Sequence, residues 1–92
     1  MIASLAWSPK EPHEYLDYQV DFRERLSSGE LIVEVDAVVT FGTIEVDRVQ
    51  QANGHVLMWI GGGTKNQLAR VLVTATTNAG RINQLDITLP IK

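Results

Sequence analysis

The run ARVLVTATTNAGRINQLDITL (residues 69–89) holds two alternating apolar segments separated by Asn78-Ala79-Gly80. Successive strand side chains point to opposite faces, so the pairing of the two halves decides which face is dry. If Asn78-Ala79-Gly80 is a three-residue loop with Gly80 in the left-handed conformation, Val73 faces Leu85, Val71 faces Ile87 and Ala69 faces Leu89. Arg70 then faces Thr88, Leu72 faces Asp86, and Thr74 faces Gln84. A two-residue loop would set Val73 against Gln84 or Asp86 instead. The three-residue loop puts apolar with apolar, and it predicts an antiparallel hairpin with one face in a core.

Outward from this hairpin the period of two recurs. Residues 43–52 and 55–60 flank Asn53-Gly54, the dipeptide best suited to the two positive φ angles of a type I′ turn. Counting back from that turn sets Gln51 opposite Val56, Val49 opposite Met58 and Arg48 opposite Trp59. The last pair would allow a cation–π contact, but the favoured reading is two neighbouring side chains meeting by register alone, an architectural detail and not a site. In residues 16–22, Leu16, Tyr18, Val20 and Phe22 share one face and Asp17, Gln19 and Asp21 the other, as in a half-buried strand. After the turn signal SSGE (residues 27–30), the β-branched run 31–39 predicts a further strand. There Leu31, Val33, Val35 and Ala37 alternate with Ile32, Glu34 and Asp36.

Five or more strands joined by short turns, with no convincing 3.6-residue periodicity, define an all-β sandwich. Only HEYLDY (residues 13–18) tempts a short helical turn. No repeat, linker or low-complexity stretch divides the chain. The expected organisation is an N-terminal arm, residues 1–8, and a single β-sandwich domain, residues 9–92.

Composition narrows the functions. A chain of 92 residues removes about 60 % of its unfolded surface from water, enough for one modest core. Without cysteine, neither a disulfide framework nor a thiolate metal site can form. Net charge is -3, and the eight Lys and Arg residues are scattered along the chain. A phosphate-backbone footprint needs a basic patch, so nucleic acid is not an expected partner. The segment MIASLAW lacks a basic leader region, and no apolar run reaches the roughly 18 residues of a membrane span. The chain is expected to be cytosolic or part of a particle.

Candidate chemistry resolves into structure. Glu11, Glu14, Asp17 and Asp21 supply the oxygens a calcium ion prefers, yet their spacing matches no EF-hand loop, and they read as solvated surface. His13 and His55 lie in no HxH or HExxH context. All four serines fall within the first 28 residues, none in a G-x-S-x-G elbow. GGGTK (residues 61–65) superficially suggests a phosphate loop, but Thr precedes Lys and a strand follows. Its glycines are expected to permit a sharp turn or a close backbone approach. No catalytic, cofactor-binding or metal residue is assigned, and the chain is not expected to be an enzyme.

SPKEPHEYLDYQVDF (residues 8–22) is similar to the opening of small bacteriophage fibre-tail adaptor proteins. These typically begin with a PKDP-like segment followed by an LDY-x-x-D-aromatic strand. Pro9, Lys10, Pro12, Leu16, Asp17, Tyr18, Asp21 and Phe22 fall on that pattern. WIGGGT (residues 59–64) resembles the family's Gly-Gly-Thr turn, and TATTNAGRINQLDITLPI (residues 74–91) its closing hairpin. The resemblance implies an immunoglobulin-like antiparallel β-sandwich of about seven strands. It implies a non-enzymatic virion protein of the tail or neck, made in the bacterial host cytoplasm. Its partners would be copies of itself in a ring and phage tail, neck or fibre proteins, with no nucleic acid, membrane or cofactor. On this reading the candidate interface residues are Trp7, Pro9, Lys10, Pro12, Tyr15 and Phe41. The alternative is a ligand-binding sandwich in which Trp7, Tyr15 and Phe41 stack on a host-surface glycan; the plainer role of each is a core or interface anchor.

Overall fold

The computed structural model describes residues 3–92; Met1 and Ile2 of the expected arm lie outside the described residues. Seven strands follow one another: β1 (Ala3–Ala6), β2 (Leu16–Asp21), β3 (Ile32–Phe41), β4 (Ile44–Ala52), β5 (His55–Gly62), β6 (Leu68–Thr77) and β7 (Ile82–Pro90). A single 3-10 turn, Arg23–Arg25, links β2 to β3. The strands form a four-stranded sheet, in the order β1-β7-β6-β3, and a three-stranded sheet, β2-β5-β4.

The β6–β7 hairpin has the register that its apolar pattern demands. Val73 pairs with Leu85, Val71 with Ile87 and Ala69 with Leu89, and these six side chains are buried. Gly80 has φ of 78°, and its N–H donates to the Thr77 carbonyl at 3.0 Å while the Thr77 N–H donates to the Arg81 carbonyl at 2.9 Å. In β2, Val20 is buried with the adjacent Phe22, Leu16 and Tyr18 are half-buried, and Asp17, Gln19 and Asp21 face water. The inward residues of both sheets join in one core. Each fully buried Val, Leu, Ile or Phe in it contributes about 1.5–3 kcal/mol of transfer free energy.

Two registers depart from simple counting, both through bulges. In the β4–β5 hairpin Gln51 pairs with Val56 as expected, and Asn53 and Gly54 take positive φ. Beyond Gln50 and Leu57 one extra residue enters β4, so Arg48 and Val49 together oppose Met58, and Asp47, not Arg48, lies opposite Trp59. Arg48 takes φ of 51° at the bulge, where its N–H donates to Asp47 Oδ1 at 2.9 Å. The bulge has a packing reason. Val46 and Val49 are three residues apart, and only an extra residue lets both reach the core. In β3 a bulge between Ile32 and Glu34 does the same for Ile32 and Val35. Ile32 is therefore buried, whereas Leu31 and Val33, expected on the face of Val35 and Ala37, are about 60 % exposed.

Strand order makes the sandwich immunoglobulin-like. The sheet β2-β5-β4 corresponds to strands B, E and D of that fold, and β7-β6-β3 to G, F and C. The first strand joins G in parallel: Ala3 pairs with Leu85 and Ala6 with Thr88. Trp7 N then donates to Thr88 O at 2.9 Å, Lys10 N to Pro90 O at 3.0 Å, and Lys92 N to Lys10 O at 2.9 Å. The stretch from Ala3 to Lys10 thus runs along β7 of its own chain.

Candidate functional site

Four of the six candidate interface residues reach the surface, and two do not. Trp7 is in the core, its ring stacked on Tyr18 at 4.7 Å between centroids. Lys10 is wholly buried. Its ammonium donates to the carbonyls of Glu11 at 2.7 Å and Pro12 at 3.4 Å, and to that of Gly62. Burial pushes its pKa below the ordinary lysine value, partly offset by the Glu14 carboxylate. This lysine spends its charge inside the chain, tying the approach to β2 onto the glycine turn after β5.

Pro9, Tyr15 and Phe41 are exposed and Pro12 is half-buried. Tyr15 stacks on Trp59 with centroids 5.4 Å apart, and its hydroxyl donates to Asp47 Oδ2 at 3.0 Å. Burial of the hydroxyl, together with that bond to a carboxylate, raises its pKa. Arg48 completes the group with its guanidinium carbon 6.0 Å from the centre of the Trp59 ring. The bulge, not the expected register, brings it there. The tyrosine ring also lies against Gly61, where a Cβ would come within 3.0 Å of Tyr15 Cδ2. Gly61 thus admits an aromatic side chain rather than the close backbone approach expected of that turn.

Strand pairing gathers these residues at one end of the sandwich. Leu16 pairs with Ile60, Gly62 with Ile44, Phe41 with Arg70 and Leu68 with Pro90, so all of these termini share a side. Phe41, Leu68, Arg70 and Thr40 line a shallow depression of about 380 Å³ there. Trp7, Tyr15 and Phe41 form no common platform: Trp7 is internal, Tyr15 lies over the outer face of the three-stranded sheet, and Phe41 ends a strand of the other sheet.

The opposite end is held by two polar clusters. Glu30 is buried and accepts from Thr77 Oγ1 at 2.6 Å, from Ser27 N at 2.8 Å and from the Arg81 guanidinium at 2.9 Å. Those bonds hold its carboxyl below the usual carboxylate range. Asp21 accepts from the Arg23 side chain and backbone N–H, which lower its pKa to about 2, and His55 Nε2 lies 3.7 Å away. Each arrangement is satisfied from within the chain and joins neighbouring turns.

Sequence reasoning missed Trp59, Val38, Leu68 and Arg70 as surface features. Val38 was readable: it is an apolar residue on the wet parity of a strand whose Val35, Ala37 and Val39 face inward. No curated protein matches the chain. Residues 10–90 match the family model described as podophage GP4 fiber-tail adaptor protein gp77, and the chain belongs to that family.

Proposed function

We propose that this protein is a non-enzymatic structural component of a phage virion. It acts as an adaptor at the tail or neck and connects fibres or neighbouring tail proteins by protein–protein contacts, in several copies arranged as a ring. The observation that carries this reading is the family match over residues 10–90, which spans the sandwich from Lys10 to the end of β7. The surface is consistent with it. Pro9, Pro12, Tyr15 and Phe41 border one end of the domain, beside the apolar depression at Leu68. Rigid aromatics and prolines lose little conformational freedom on docking, which suits an interface. Lys10 serves this surface indirectly by fixing the backbone that displays Pro9, Pro12 and Tyr15.

The test is location. Mass spectrometry of purified virions should find the protein in fixed stoichiometry with tail proteins, and labelled antibody should mark the tail or neck in micrographs. Its absence from virions purified to constant composition would reject the proposal.

A further inference from the structure

The two sheets have four edge strands, and three of them carry a feature that discourages strand addition. β1 spans four residues, β2 only six, and β4 is broken near its middle by the bulge at Arg48. β3 is different. It is ten residues long and contains no Lys or Pro, it carries the outward carboxylates Glu34 and Asp36, and its bulges lie towards its ends, leaving Glu34 to Val39 in regular pairing with β6. Its outer face exposes Val38 at 48 %, and Phe41 at its end is 55 % exposed.

We propose that β3 pairs antiparallel with β3 of a second copy about a two-fold axis at Val38, joining two four-stranded sheets into one of eight strands. This rests on the reading that copies of the chain associate; a two-fold contact closes at two copies, so a ring would be built of such pairs joined through a second contact. Charge and parity select the register. Directly opposed residues of an antiparallel pair share a face, so the axis must set outer residues against outer residues. An axis at Val38 places Val38 on Val38 of the second copy, with Leu72 beside it on β6. Thr40 then faces Asp36 of the second copy. Arg70 lies beside Thr40 and Phe41, which together oppose it across the bulge, and so reaches the Asp36 carboxylate twice around the axis. An axis at Ala37 would bring Asp36 against Val38, and one at Asp36 would oppose the two carboxylates. The Val38 register alone among these three joins apolar with apolar and anion with cation.

Sedimentation of the purified protein tests this at concentrations up to about 1 mM, because a strand-edge contact falls below the 1,200–2,000 Å² of standard stable interfaces. The expected result is a concentration-dependent dimer, or an even multiple of it, that Val38→Lys weakens at least tenfold while leaving the circular dichroism and melting profile of the monomer intact. Asp36→Arg should weaken it as well, and adding Arg70→Asp to that variant should restore it. If the wild-type chain associates and Val38→Lys associates equally well, copies meet elsewhere and the β3 contact is overturned. If the wild-type chain stays monomeric throughout, the β3 contact falls together with the reading that isolated copies associate.

Discussion

Replacing Lys10 by Met separates an internal lock from a docking residue. Methionine keeps the length and apolar stem but supplies no donor, so the carbonyls of Glu11 and Gly62 lose a charged partner, and the longer bond to Pro12 goes with them. Hydrogen bonds to a charged group contribute about 1.5–3 kcal/mol each, and two are well formed. Those values are net, with the ammonium's desolvation already counted, and the buried thioether methyl of methionine offsets about 1–2 kcal/mol. The net expectation is a loss of about 2–4 kcal/mol, a large part of the roughly 5–10 kcal/mol available to a domain of this size. Urea unfolding of the monomer measures it directly. A midpoint unchanged within error would refute the lock and return Lys10 to the list of docking residues. The pH dependence gives a second reading. Burial lowers the Lys10 pKa from 10.5, so the unfolded chain holds that proton more tightly, and this term makes stability rise as pH climbs towards 10.5. Tyr15 and Tyr18, whose pKa values are raised, act in the opposite sense. The quantity to compare is the difference between wild type and Lys10→Met, whose slope should carry the lysine contribution alone.

Two glycines should respond differently to the same substitution. At Gly80 an added Cβ meets nothing within 4 Å, so Gly80→Ala should cost about 1–2 kcal/mol, the left-handed penalty alone. At Gly63, with φ of 110°, the Cβ would lie 2.9 Å from Ile91 Cδ1, and overpacking adds about 1–3 kcal/mol to the backbone strain; equal thermal shifts for the two variants would contradict this. Asp21, with its pKa lowered to about 2, should titrate well below the ordinary carboxylate range in a carboxyl-detected NMR series. Its folded pKa is the lower one, so its contribution is present above the unfolded value of 3.8 and is lost as pH falls towards 2. Arg23→Ala should return the midpoint to the ordinary range.

The sequence was most legible where one pairing satisfied both the turn and the core. Residues 69–89 allowed a single register with apolar against apolar, and Asn53-Gly54 anchored the first pairs of the next hairpin. Counting failed beyond Gln50 and before Glu34. There two apolar residues three apart both had to reach the core, and a strict alternation cannot place them together. The pairs Val46 with Val49 and Ile32 with Val35 carry that signature, so the bulges were hinted at by spacing, although their position depended on the opposing strand. The surface residues were harder. Trp7 falls in the expected arm and Lys10 just after it, and both were candidate interface residues. Their burial follows from parallel pairing with β7, a contact between distant parts of the chain that leaves no local periodicity.

The topology also separates two kinds of contact. In the order β1-β7-β6-β3, residues 3–10 and β3 lie on opposite edges of one sheet, and Tyr15 lies over the outer face of the other sheet. Phe41 and the depression at Leu68 belong to the β3 edge. Copies joined through β3 therefore leave Pro9, Pro12 and Tyr15 uncovered. Tail or fibre partners docking there would not compete with self-association. Two variants make this testable. Val38→Lys should lose pairing between copies and retain capture by virion tail proteins in a pull-down. Tyr15→Ala removes the ring stacked on Trp59 and should show the reverse pattern, with self-association intact and capture reduced. The reduction should be roughly tenfold or more, because a buried aromatic anchor typically carries at least 1–2 kcal/mol at an interface and 1.4 kcal/mol is tenfold. Loss of both activities in both variants would show that the two contacts are one surface, contrary to the sheet order.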